Sequence, residues 1–137
     1  MALTFKHGKN SYLKASITGS TVTLSSGLDE ISWDRTVDTA EVTTFGDGDK
    51  NFLPGLRDSS FSLNGHWAST YELLIDGWLG SSSLVTITYG PHGNTTGFPK
   101  RSQSAIMTSL GVSNPVGDKV SMSIAFQGTG AVSTGVF

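Results

Sequence analysis

The sequence contains no cysteine. That excludes disulfide staples and thiolate metal ligands, so the fold must rest on packing and hydrogen bonds. Charge is scarce too: 9 Lys and Arg stand against 11 Asp and Glu, a net −2. Such a balance leaves no basic footprint for sequence-reading nucleic-acid binding. No apolar run reaches the length of a bilayer-spanning helix, so no membrane partner is expected. The opening stretch, MALTFKHGKNSYLKAS, lacks the apolar segment of a secretory signal, which predicts a protein made in the cytoplasm. Proline is limited to 4 positions, whereas glycine takes 17. Short β-branched and hydroxyl-rich runs, punctuated by glycine, predict an all-β chain. A length of 137 residues suits one domain, 1–137, around one core. Low charge with many hydroxyls also suits a surface largely covered by partners.

The stretch from residue 31 to 67, ISWDRTVDTAEVTTFGDGDKNFLPGLRDSSFSLNGHW, organises the rest. Ile31, Trp33, Arg35 and Val37 alternate with Ser32, Asp34 and Thr36. Phe61, Leu63, Gly65 and Trp67 alternate with Ser60, Ser62, Asn64 and His66. A period of two predicts strands with one buried and one wet face. Residues 46–58 between them read as a long loop, too long for a tight hairpin turn. It carries the charged residues Asp47, Asp49, Lys50, Arg57 and Asp58. It also carries the apolar Phe52, Leu53 and Leu56 and the stiff Pro54-Gly55 pair. A loop with such anchors is expected to grip something, and another copy of the same chain is the expected target.

Before that stretch, residues 2–8 read as an edge strand or arm, and 11–18 and 21–26 as strands. After it the period changes. Tyr71, Leu74, Ile75, Trp78 and Leu79 follow the i, i+3, i+4, i+7 spacing of a helix face, which predicts one helix over about 69–80 packed on a sheet. Ser69 and Glu72 have capping-box spacing, and Gly80 is the expected stop. Strand patterns return at 84–90, where Val85, Ile87 and Tyr89 share a face. They continue at 101–113 through Ser104, Ile106, Thr108, Leu110 and Val112, and at Val120, Met122, Ile124 and Phe126. The tail GTGAVSTGVF is expected to be extended. The expected architecture is a mainly β sandwich or partly closed barrel with one flanking helix.

Nothing in the pattern makes an active site. His7, His66 and His92 lie in separate segments without metal-ligand spacing. DGDKN at 47–51, with Asp58 further on, partly resembles a calcium loop, but Phe52 stands where the sharp turn needs glycine. Asp29, Glu30, Asp34, Asp38 and Glu41 are numerous, yet Asp34 and Asp38 have no assured common face for paired-carboxylate chemistry. Acids facing a channel would instead repel DNA and keep it from sticking. No phosphate-binding loop or nucleophile elbow is present. Trp33, Trp67 and Trp78 fall on faces assigned to the core. No catalytic residue, metal or cofactor is therefore expected.

The segment Val42-Thr43-Thr44-Phe45-Gly46-Asp47, followed by Pro54-Gly55-Leu56-Arg57-Asp58 and an alternating strand, resembles the central region of short tail tube proteins of long-tailed bacteriophages. Pro115-Val116-Gly117-Asp118, the strand to Phe126 and Gln127-Gly128-Thr129-Gly130-Ala131-Val132 resemble that family's closing strand and tail. The resemblance covers roughly residues 20–135. It implies a virion protein that assembles into hexameric rings stacked as a hollow tube, through which DNA passes. It implies partners in the tape measure and tail-end proteins, and assembly in the host cytoplasm. Residues 46–58 would be the loop reaching the adjacent ring, with Phe52, Leu53 and Leu56 as apolar anchors. The competing readings are a capsid decoration or other accessory virion β-protein and, from another class, a carbohydrate-binding module.

Overall fold

A computed structural model describes residues 5, 7–17, 20–71, 76–81 and 83–137. Seven strands form it: β1 (Tyr12–Ile17), β2 (Ser20–Thr23), β3 (Leu28–Glu41), β4 (Phe52–His66), β5 (Val85–Gly90), β6 (Pro99–Ser113) and β7 (Ser121–Val136). They make one antiparallel sheet in the order β2-β1-β5-β6-β7-β4-β3. The sheet rolls over on itself. Trp33 of β3 meets Tyr89 of β5 edge-on, with ring centroids 5.8 Å apart, although three strands separate β3 from β5 in the sheet. The partly closed barrel is thus the form the chain adopts.

Alternation explains which residues fill it. Phe61 and Leu63 of β4, Val85 and Ile87 of β5, and Met122, Ile124 and Phe126 of β7 are buried, as their period-two spacing requires. Leu13 and Ala15 of β1 and Val22 of β2 complete the wall. Strand β2 ends sooner than its sequence suggests, because Leu24–Ser26 winds into a 3-10 turn; Leu24 is still fully buried.

Strand β6 departs from its expected phase. Ala105 and Met107 are buried, whereas Ile106 is exposed. A register shift between Met107 and Ser109 leaves Thr108 as an extra residue, and Leu110 then packs on the core. A bulge inverts the faces of the strand that carries it, so no single alternation describes 101–113.

The expected helix is also modified. Residues 69–71 are helical and Asp76–Trp78 is a 3-10 turn, with Ser69 already inside the first turn rather than capping it. Trp78 is buried, and Tyr71 packs partly buried with its hydroxyl 3.1 Å from Ser26 Oγ. Leu79, assigned to the packing face, is instead 47% exposed. A 3-10 turn has three residues per turn, so residue 79 rotates off the stripe that an α-helix would keep. Glu72, Leu74 and Ile75 lie outside the described residues, as do residues 2–4 and 6 of the expected N-terminal arm.

One glycine fixes how closely the start of β3 approaches β4. Gly65 of β4 runs so close to the β2–β3 connection that a Cβ there would strike the Gly27 carbonyl and the Leu28 Cα. The neighbouring His66 amide donates to the same Gly27 carbonyl at 2.8 Å. Backbone atoms cannot step aside as a flexible side chain can. Gly65→Ala is therefore expected to cost about 3 kcal/mol, the upper end of ordinary overpacking, read as a lowered urea midpoint at unchanged m-value.

Candidate assembly surfaces

The sheet forks at Ser59. Strand β4 pairs with β7 only as far as Ser60 opposite Gln127. Beyond that, β7 continues with β6 alone, out to Val136 opposite Pro99. On the other branch, β3 and β4 continue as a two-stranded arm, from Arg35 opposite Ser59 to Glu41 opposite Phe52. Polar side chains fix the fork. Ser59 Oγ donates to Gln103 Oε1 at 2.5 Å, and Gln103 Nε2 donates to the Gly130 carbonyl at 2.9 Å. Gln127 Nε2 donates to Asp58 Oδ1 and, at 3.0 Å, to the Ser59 carbonyl. Ser59 and Gln103 are buried, so these bonds are what make their burial tolerable.

The arm corrects the expected loop. Residues 46–58 are not one irregular segment: Phe52, Leu53, Pro54, Leu56, Arg57 and Asp58 all belong to β4. The irregular part is 42–51. Pro54-Gly55, expected as a stiff pair within the loop, sits at a register shift opposite Asp38, where β4 has one residue more than β3. That stretch of β4 has no second neighbour, and an edge with a bulge is where a strand accepts proline. Leu56 is 82% exposed on this bulge, with Phe52 and Leu53 about half exposed beyond it.

The arm ends in an ordered tip. Asp47 Oδ2 accepts from Thr44 N at 2.8 Å, Thr44 Oγ1 at 3.1 Å and Asn51 Nδ2 at 3.2 Å. Val42 N donates to the Asn51 carbonyl at 2.8 Å, which closes the base of the tip. Gly46 takes a positive φ of 97°, a conformation glycine adopts without strain. This turn throws the Phe45 ring fully into solvent. The Thr44 amide, then the Thr44 hydroxyl, hold the Asp47 carboxyl below its ordinary value of 3.8. A depressed folded value means that this contribution is complete above the ordinary carboxylate range and is lost as pH falls through the lowered one. The Thr44 amide resonance is expected to titrate with a midpoint below 3.8 and to lose the dependence in Asp47→Asn.

The proposed loop residues therefore divide into two groups. Asp47, Asp49 and Lys50 are at the tip, and Asp58 is at the fork on Gln127, so the three aspartates do not form one cluster. Among the described residues, no three His, Asp or Glu side chains form a group that could hold a metal ion. Charge on the arm is sorted by face. Arg35 and Arg57 continue the line of Trp33, Ser59 and Phe61, which faces the core lower down. Asp34 and Asp58 point the other way, opposite Ser60 and Thr36. Sequence reasoning placed Arg35 on the Trp33 face but assigned it no role. It gave no sign of Arg101, whose guanidinium lies 5.8 Å from the Trp33 ring centroid.

No protein-family model and no curated protein matches the sequence. Solved structures do match the fold. A chain from the virion of a native gene transfer agent particle superposes with a TM-score of 0.78 at 19% identity, covering 96% of this chain and 100% of that one. A chain from the tail of an empty gene transfer agent particle, computed with six-fold symmetry, gives 0.73 at 20% identity over 96% and 100%. The SPP1 tail tube gives 0.73 at 15% identity over 96% of this chain and 79% of that one. The rolled seven-stranded sheet of this chain is thus the fold shared by phage-type tail tubes.

Proposed function

We propose that this chain is the structural subunit of a hollow virion tail tube. Copies would form rings, six to a ring, stacked along an axis with DNA passing through the lumen. Its partners would be itself, the tape measure protein and the proteins at the tail ends; its place would be the virion tail, assembled in the host cytoplasm. It would perform no catalysis and need no cofactor.

The observation that carries this reading is the arm. A two-stranded hairpin that leaves the core gains no burial in a lone subunit. Here it exposes Val37, Val42, Phe45, Phe52, Leu53 and Leu56 along its length. Large exposed apolar side chains concentrated on one projecting element mark a contact surface. Beyond the fork, one edge of β4 and one edge of β7 are also unpaired. Free edges are a hazard for a solitary protein and a joint for an assembling one. A head-to-tail contact between such elements closes into rings or propagates as a filament.

Negative-stain microscopy of the purified full chain tests the proposal. Stacked rings or tubes of uniform width are expected. Compact monomers or trimers that attach only to capsids would replace it with the decoration-protein reading.

A further inference from the structure

The fork encloses a cleft of about 830 Å³ between the base of the arm and the β6–β7 branch. Three cations line it, one from each of three strands: Arg35 of β3, Arg57 of β4 and Arg101 of β6. One acid, Asp58, belongs to the same lining, but its carboxylate is turned to the other face of the arm, where it accepts from Gln127. Among the described residues the only ion pair is Lys119 with Asp29, at 3.4 Å and distant from the cleft, so none of these arginines has a carboxylate partner. Trp33 lines the same cleft, and its Nε1–H is buried with no acceptor. A chain of net negative charge has thus gathered three unpaired guanidinium groups in one hollow.

The geometry points to this cleft as a socket for the arm tip of a second copy, with the Asp49 carboxylate as its chief ligand. The tip closes the end of a two-stranded arm, and its residues are exposed. Asp47 is spent inside the turn, but Asp49 is exposed with no partner and stands next to Lys50, which has none either. Asp49 would accept from Arg35, Arg57 or Arg101. Complementary charge of this kind sets register and rejects wrong alignments more than it adds affinity. The chain cannot satisfy itself, since the tip lies at the far end of the arm whose base forms the cleft. A socket for a second copy has a use only where copies stack, so this inference rests on the tube reading. A DNA duplex is the weaker candidate, because a hollow with three cations between two strand pairs suits one or two anions rather than a phosphate backbone.

Two measurements test it. First, Arg35→Glu with Arg57→Glu, both at exposed positions, is expected to keep the wild-type melting curve and lose pelletable tubes at least tenfold. Asp49→Lys is expected to do the same, and Arg57→Glu combined with Asp49→Lys to recover tubes. Normal tubes from the double arginine variant, or no recovery on exchange of charges, overturns the socket. Second, the absence of native cysteine allows Gly48→Cys chains, changed beside Asp49 at the tip, to be mixed with Ala131→Cys chains, changed at an exposed position of the cleft lining, and treated with a short bifunctional thiol reagent. A crosslinked dimer that needs both variants is expected; its absence overturns the socket whether or not tubes form. Wild-type protein that never forms tubes counts against the tube reading itself, while the crosslink still decides the socket. Loss of DNA binding in the arginine variants with tubes intact assigns the cleft to phosphate instead.

Discussion

Replacing residues 43–50 by Asn-Gly leaves a folded chain that forms no tubes. The hydrogen bond from Val42 N to the Asn51 carbonyl already sets these two residues at hairpin distance, and Asn-Gly is the sequence a two-residue connection favours. None of the removed residues is buried or touches the core. A surface change of this kind is expected to move stability by no more than about 0.5 kcal/mol. The truncation removes Phe45, Asp47, Asp49 and Lys50 together, which takes away both the apolar and the charged part of the tip. Association between copies is set by a few well-placed groups, not by total area, so the expected loss is complete rather than graded. Microscopy and sedimentation should find soluble subunits with a wild-type circular dichroism spectrum. Ordinary tubes from this variant would mean that the arm stacks through its strands and not its tip. A truncated chain that fails to fold would mean that the tip helps to pair β3 with β4.

The sequence spoke clearly wherever one strand has one wet face along its whole length. Phe61 and Leu63, Val85 and Ile87, and Met122 to Phe126 stand where their alternation put them, because a buried face tolerates no slip of register. The signal failed at bulges. Thr108 inverts the phase of β6, and no residue type announces it. Pro54-Gly55 helped to make 46–58 read as loop, because proline and glycine are poor residues for a strand interior, whereas here they ride on a strand edge that lacks a neighbour. Leu79 was lost to a change from α to 3-10 winding at Asp76–Trp78, which alters the repeat by a fraction of a residue. The arm and its exposed apolar residues were legible as a segment with a purpose. The cleft was not, since Arg35, Arg57 and Arg101 meet only through strand order and the rolling of the sheet. Local pattern carries no information about a contact between strands that the sheet itself separates.

Phe61→Ala should bring the largest loss of stability in the molecule, about 3–5 kcal/mol. Its ring is 1% exposed and lies between two others: Trp33 at 4.5 Å, tilted, and Phe126 at 6.4 Å, edge-on. Strand β4 supplies Phe61 at the level where β3 and β7 both still pair with it, so the cavity would open in the middle of three strands. A rigid β wall collapses poorly onto such a void, which places the cost toward the upper part of the range. The measurement is the urea midpoint, with a double-mutant cycle against Trp33→Ala. Rings in contact should couple by about 0.5–1.5 kcal/mol beyond their separate burial, so the two losses should not add. Strict additivity would deny that the Trp33 ring rests on Phe61 across the β3–β4 pair. The same ring also seats the arm: Trp33 is the last large residue of β3 to rest on the core before the strand runs free. At temperatures where Phe61→Ala is still folded, tube yield should therefore fall below what its stability alone predicts, because the arm would leave the fork at an uncertain angle.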